Sequence, residues 1–293
     1  MIKQALYELI RTIPYFAKYP EKLLASVEFA LLPSNTNKTY KVCFKRHTKA
    51  SYILKIPKCT TNSYVNRDNE KNNTGIAFNL ALTAEPLWFG NTPQQQGMSL
   101  YRYISNSRKL TPLDLKQPNI LKRVTESLKT LQSSHHCFIG DFSDTAIIRN
   151  YLNQYYGQCS NDLQDKLSSN FIRAQQALNQ IDLLNLPVNK PVPAHIDLMA
   201  DNILIQESLD SKIWLIDWEY SAMASPYWDI ATLCNVANFN QLEANDFLYL
   251  VLGDCNQPDE DKAIVNLNNY RLIERSLVEC WRGAFVKEFL IKS

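Results

Sequence analysis

Glycine is scarce in this chain, seven residues in 293, and no two are spaced as Gly-x-Gly. A phosphate loop built on glycine, in which the backbone comes close enough to wrap an anion with N–H groups, is therefore absent. Histidine is rarer still. There are four, two of them adjacent, and none falls at a zinc-ligand spacing with the cysteines. The seven cysteines (43, 59, 137, 159, 234, 255 and 280) are odd in number and include no Cys-x-x-Cys pair. That pattern reads as reduced thiols in a reducing compartment. No apolar run approaches the roughly 20 residues that a membrane span needs, and Met1–Arg11 lacks the apolar core of a secretory leader. Charge of one sign is missing too: 31 basic residues face 29 acidic ones, a net charge of +2. Nucleic-acid binders carry a basic excess or stripe, whereas Lys45-Arg46-His47 and Arg108-Lys109 read as solvated faces. The expectation is a cytoplasmic protein with no nucleic-acid or membrane partner, its oligomeric state left open.

What is present is ordinary globular composition, 45% hydrophobic and 20% charged. Val27–Leu32 and Tyr40–Phe44 flank a polar turn and predict a hairpin. Ser51–Ile56 predicts a third strand, and Leu87–Phe89 and Ser99–Ile104 two more. A helix is expected between, from Tyr64 to about Leu82, despite Gly75, which costs roughly 1 kcal/mol against alanine. Beyond Leu113 the apolar spacing turns helical, through Leu121, Val124, Leu128 and Leu131, then Leu163, Leu167, Phe171, Ala174, Leu178 and Ile181. Tyr227–Phe239, Leu242–Leu252 and Tyr270–Ile291 also predict helices. A strand-rich front (1–104) and a helical back (105–293) predict an α+β chain of two lobes with a cleft between them.

One short β segment interrupts the helices and carries the most informative residues. His195-Ile196-Asp197 and Asn202 precede Ile203–Gln206, and Lys212–Ile216 leads to Asp217. A hairpin centred between Leu209 and Asp210 would set Asn202 opposite Asp217. Asp197 enters on the loop just ahead. Two carboxylates and an amide oxygen at one loop edge suit Mg²⁺, and phosphoryl transfer needs such a set. Asn202 and Asp217 are assigned to the metal and Asp197 to the acceptor hydroxyl, with His195 bracing the loop. His-x-Asp-x-x-x-x-Asn alone arises by chance in about one chain in a hundred of this length. A hairpin carrying Asp217 at the matching register makes chance a poor account.

With Ile216-Asp217-Trp218-Glu219-Tyr220-Ser221 and Pro226-Tyr227-Trp228-Asp229, the His195–Asn202 loop resembles the choline/ethanolamine kinase and aminoglycoside phosphotransferase superfamily, especially the bacterial choline kinases of the lipopolysaccharide phosphorylcholine pathway. The front half matches more weakly, at Asn37, Tyr40-Lys41-Val42, Tyr52–Pro57 and Arg67-x-x-Glu70. The resemblance implies a two-lobed, protein-kinase-like fold and a phosphotransferase using ATP and Mg²⁺. It places Lys55 on the ATP phosphates with Glu70 holding it, and Asn37 and Ile104 in the same nucleotide site. The chain departs from its relatives in two places. The turn Ser34-Asn35-Thr36-Asn37 has no glycine, and Leu131-Gln132 stands where Leu-His is usual.

The small-molecule acceptor is expected to be a cationic alcohol, choline or ethanolamine. Aromatic faces beside a carboxylate hold quaternary ammonium groups, and Glu219, Tyr220, Tyr227, Trp228 and Trp281 are the candidates for that cage, although an aromatic taken alone is more often core than cage. The alternatives are a thiamine kinase, an aminoglycoside phosphotransferase using Asp254, Asp259, Glu260 and Asp261, and a catalytically silent nucleotide-binding protein. The last is opposed by the intact Asp197, Asn202 and Asp217.

Overall fold

The computed structural model describes residues 2–34, 37–45, 47–58, 65–93, 95–184, 190–207, 211–253 and 260–285. The chain is α+β and divides into two compact units, Met1–Ser107 and Arg108–Ser293. The division falls at 107/108, against the expected 104/105.

The first unit comprises α1 (Ile2–Thr12), α2 (Glu21–Leu24), β1 (Val27–Leu32), β2 (Asn37–Phe44), β3 (His47–Pro57), α3 (Arg67–Asn79), β4 (Pro86–Gly90) and β5 (Met98–Arg102). Its sheet runs in the order β1-β2-β3-β5-β4, every neighbouring pair antiparallel. Leu6, Leu9, Ile10 and Ile13 recur at helical spacing, so α1 has one apolar face. That face and Phe16 pack on Tyr40, Val42 and Phe44 of β2 and on Tyr52 and Leu54 of β3. The sequence reading missed both N-terminal helices. Strand side chains alternate, so Thr39 and Lys41 of β2, Ile53 and Lys55 of β3, and Ser99 and Tyr101 of β5 share the opposite face. The predicted helix begins three residues later than expected because Asn66 caps it, its side chain accepting from the N–H groups of Asp68 (3.0 Å) and Asn69 (3.1 Å).

The second unit contains β6 (Ser107–Lys109, starting at the boundary), α4 (Pro118–Gln132), β7 (Asp141–Phe142), α5 (Thr145–Gln158), α6 (Asn161–Leu184), β8 (Val192–Ala194), β9 (Ile203–Gln206), β10 (Ile213–Leu215), β11 (Ala222–Ala224), α7 (Tyr227–Val236), α8 (Gln241–Leu252) and α9 (Glu260–Phe285). α9 packs against α5, α6 and α7. At Gly283 it approaches so closely that a Cβ would lie 2.4 Å from Leu163 Cδ2 and 2.9 Å from Cys159 Sγ. α7 is buried on every side from Tyr227 to Cys234, as a helix apolar all round must be. Among the described residues no helix is long and apolar enough to cross a membrane.

Candidate active site

The residues predicted for chemistry fall in both units. In the first, Lys55 is mostly buried, and its ammonium lies 5.5 Å from the centroid of the Tyr101 ring. Tyr101 donates to Glu70 Oε1 at 3.1 Å, and Arg67 Nη1 reaches Glu70 Oε2 at 2.6 Å. Lys55 and Glu70 therefore meet around Tyr101, a residue sequence reasoning did not single out. The buried face shared by Tyr101 and Lys55 in alternating strands was the signal available. Asn37 is buried at the start of β2, and Ile104 is half-buried with its carbonyl accepting from Ser107 Oγ at 2.8 Å. Of the glycine-free turn, Asn35 and Thr36 lie outside the described residues.

In the second unit the loop after β8 carries His195 and Asp197. Ile196 between them has φ 71°, a left-handed conformation that costs a β-branched residue on the order of 1–3 kcal/mol. Three contacts hold it there. Asp229 Oδ2 accepts from the His195 N–H (2.8 Å), Asp229 Oδ1 from the Ile196 N–H (3.0 Å), and Trp228 Nε1 donates to the Ile196 carbonyl (3.0 Å). His195 is wholly buried, with Nε2 2.9 Å from the Ile216 carbonyl and its ring against Trp218. That is the bracing role expected of it.

The expected hairpin register is corrected by one residue. Leu215 pairs with Ile203 and Trp214 with Leu204, and Gln206 N–H closes the loop on the Lys212 carbonyl. The connection therefore spans residues 207–211 and centres on 209, where 208–210 lie outside the described residues. Asn202 faces Ile216, whose N–H it accepts at 2.9 Å, and not Asp217. A slip of one residue would send Asp217 to the other face of the ladder. Asp217 instead leaves the strand with φ 71° and ψ 60°, which breaks the alternation and re-aims its carboxylate. Asn202 donates through Nδ2 to both the carbonyl and Oδ2 of Asp197, each at 2.9 Å. Its amide oxygen thus points away from Asp197.

Burial pushes the Asp197 carboxyl well above the usual range, and the neighbouring carboxylates of Asp217, Glu219 and Asp201 push it further. Burial, Glu219, Asp197, Tyr155 and Asp217 likewise raise the Tyr220 hydroxyl. Asp197, Asp217, Glu219 and Tyr220 are therefore one electrostatic neighbourhood. Among the described residues no group of three or more His, Cys, Asp or Glu is arranged to hold a metal. One amide oxygen and one carboxylate fit a hard cation that takes the rest of its shell from phosphate oxygens and water.

Two of the aromatic residues expected around the acceptor are core. Tyr227 is 0% exposed and stacks on Tyr270 at 5.9 Å, and Trp228 is 2% exposed, edge-on to Phe142 at 4.7 Å. The reason is that α7 has no solvent face, so its first turn cannot line a site. Trp281 keeps partial exposure and touches Phe285, which packs edge-on to Tyr155, the neighbour of Tyr220. Tyr155 and Phe285 were missed, since α5 was not predicted and Phe285 lies beyond any motif. Asp229 was quoted as motif but given no role. A polar cavity of about 280 Å³ opens beside the first turn of α5, against Asp182, Ser225 and Tyr270, and none of the predicted site residues lines it.

Residues 30–270 match the family model for choline/ethanolamine kinase. Over 216 residues, 71% of this chain, it is 30% and 31% identical to two Haemophilus influenzae LicA proteins, covering 73% and 58% of their lengths. A crystal structure of LicA in complex with AMP superposes with a TM-score of 0.72 at 21% identity, over 96% of this chain and 90% of that one. Choline kinase LicA from Streptococcus pneumoniae gives 0.69 at 23% identity, over 92% and 87%. These likenesses establish a protein-kinase-like fold, and the family is one of phosphotransferases acting on an alcohol. By the family match and by the motif residues that the fold gathers around Asp197, this chain belongs to the choline/ethanolamine kinases.

Proposed function

We propose that this small-molecule kinase uses ATP and Mg²⁺ to phosphorylate a cationic alcohol, choline or ethanolamine, in the cytoplasm. The observation that carries the reading is the crowding of the Asp217 and Glu219 carboxylates around the half-buried Asp197. Such crowding is costly unless cations compensate, and the reaction brings two, a metal and an ammonium head group.

Asn202 and Asp217 are the residues that would hold Mg²⁺. Bound there, Mg²⁺ supplies neutralisation of phosphate charge. Asp197 orients the acceptor hydroxyl and takes up its proton, its own carboxylate held by the Asn202 amide N–H₂ at 2.9 Å. The acceptor oxygen bonds to the γ-phosphorus, the bond from phosphorus to the β–γ bridging oxygen breaks, and ADP departs. In the first unit Lys55, backed by Tyr101 and Glu70, is the contact to phosphate, with Asn37 and Ile104 completing the nucleotide site. Glu219, buried beside Asp197, is the counter-charge for the ammonium group, and Tyr220 and Trp281 supply ring faces.

The test is ADP release by the purified chain with choline, ethanolamine, thiamine and aminoglycosides, each with and without Mg²⁺. Metal-dependent turnover highest with choline or ethanolamine is expected. Turnover confined to an aminoglycoside would overturn the acceptor class, and turnover independent of metal would overturn the roles of Asn202 and Asp217.

A further inference from the structure

The ligand face of the first unit's sheet carries one contact that the proposed reaction leaves unused. Lys41 stands opposite Ile53 on β3, one side-chain row beyond the row of Thr39, Lys55 and Ser99. Two residues of strand separate the rows, about 6.7 Å. From there Lys41 sets its ammonium 3.8 Å from the centroid of the Tyr103 ring. Tyr103 prolongs β5, its N–H bonded to the Ser51 carbonyl at 3.0 Å, and leads directly into Ile104. The side chain of Lys41 therefore reaches across β3 between the Lys55 row and Ile104. Both members of the pair are half-buried.

A nucleotide with its phosphates at Lys55 and its base toward Ile104 must run along β3 past Ile53. Lys41 and Tyr103 border the base end of that path. A lysine ammonium offers three N–H donors and no acceptor. Guanine presents two acceptors on its outer edge, O6 and N7, and hypoxanthine shares them. Adenine presents N7 beside an N6 amino donor. Against a 6-oxo group the ammonium gains a charge-assisted hydrogen bond, whereas against the amino group donor meets donor.

We propose that Lys41, held on the ring of Tyr103, reads the purine edge and lets this kinase draw its phosphate from a 6-oxopurine nucleoside triphosphate. The proposal rests on the nucleotide site assigned around Lys55, and it deepens that assignment by naming a residue that selects the base.

The experiment compares ATP, GTP and ITP as donors for the full chain. It also measures the Tm shift given by their non-hydrolysable β,γ-imido analogues, which requires no acceptor. ITP lacks the 2-amino group and so isolates the 6-oxo contact. In the wild type, kcat/KM for GTP and ITP is expected within about tenfold of that for ATP. Lys41→Met keeps chain length and removes the donors, so the ITP-to-ATP ratio should fall by about tenfold or more, the worth of one charge-assisted bond. Lys41→Arg should retain much of the ratio, and Lys41→Ala replaces Lys41→Met where the latter does not fold. An ITP-to-ATP ratio unchanged by Lys41→Met, or a wild type that neither uses nor is stabilised by the 6-oxopurine nucleotides, overturns the proposal. If no alcohol is phosphorylated but the ITP analogue stabilises the wild type more than Lys41→Met, base selection stands and the acceptor reading falls.

Discussion

Asp229 offers a test in which stability and catalysis should separate. Its carboxylate is 0% exposed, accepts the N–H groups of His195 and Ile196, and lies on a helix without a polar face. Burial raises its pKa to about 6, although the two N–H groups pull the other way. In the unfolded chain an aspartate titrates near 3.9, so between these values the folded state holds the extra proton. The stability this group contributes is then complete below about pH 4 and lost as pH rises through about 6. A shift of about two units is worth about 3 kcal/mol, to order of magnitude.

Asp229→Asn abolishes that charge cost but puts an amide N–H₂ where one oxygen accepted a backbone N–H, which costs about 1–3 kcal/mol. The two effects oppose each other. At pH 8 the variant should lie within about 2 kcal/mol of the wild type, and it should lose the wild type's gain in stability between pH 8 and pH 5. Catalysis has no such compensation. Ile196 remains in a conformation its side chain disfavours, with one anchor gone, so Asp197 shifts. Displacement of a reacting group by about 1 Å can cost on the order of a hundredfold in rate. Urea unfolding at both pH values, with kcat and KM measured on the folded protein, distinguishes the outcomes. A variant destabilised by more than about 4 kcal/mol but with wild-type kcat would show that Asp229 merely fills the core.

At the metal, Asp217→Ala should lower kcat by at least about a hundredfold while the protein stays folded, and Asp197→Asn should do the same with nucleotide binding little changed. A folded Asp217→Ala enzyme with normal Mg²⁺-dependent turnover would refute the assignment. Lys55→Ala should weaken transfer and Lys55→Arg restore part of it; equal loss in both, with ATP binding intact, would remove Lys55 from the phosphates. Trp281→Ala should raise KM for a cationic acceptor by about three- to thirtyfold, the range of a partly to fully desolvated cation–π contact, and leave KM for ATP alone. An unchanged acceptor KM would return Trp281 to a packing role.

The parts of the fold legible in the sequence were those whose period is strong or whose ends are marked. α6 and α8 follow from helical spacing, and β2 and β3 from alternation between turn residues. α1 was missed although Leu6, Leu9, Ile10 and Ile13 carry the period, because the helix is only 11 residues long and its apolar face is stabilised by packing on β2 and β3, distant in sequence. α5 was missed for a different reason: Tyr151, Leu152 and Tyr155 are interleaved with polar residues, and its apolar face is completed by α9. The motif placed Asp197, Asn202 and Asp217 in one region, but the hairpin register could not be read from it. A loop of four residues and one of five fit the same sequence, and only the pairing of Gln206 with Lys212 decides between them.

The aromatic residues after Asp217 show why composition near a motif is a poor guide to ligand contact. Two tasks compete for large rings there, supporting a strained loop and facing a cation. Trp218 and Trp228 perform the first: one bonds the Leu215 carbonyl and packs on His195, the other bonds the Ile196 carbonyl. A ring that donates to a buried carbonyl has its polar edge committed, and its faces are covered by Phe138 in one case and by Phe142 and Tyr270 in the other. No face is left for a ligand. The proposed cationic site then takes its wall from rings at the margin of the core, and Tyr220 and Trp281 are the predicted residues that keep partial exposure. They are distant in sequence and linked through Tyr155 and Phe285. Under the proposed acceptor reading, the placement of Trp281 depends on how α9 packs at Gly283 against Cys159 and against Leu163 of α6, where the space for even one methyl group is absent.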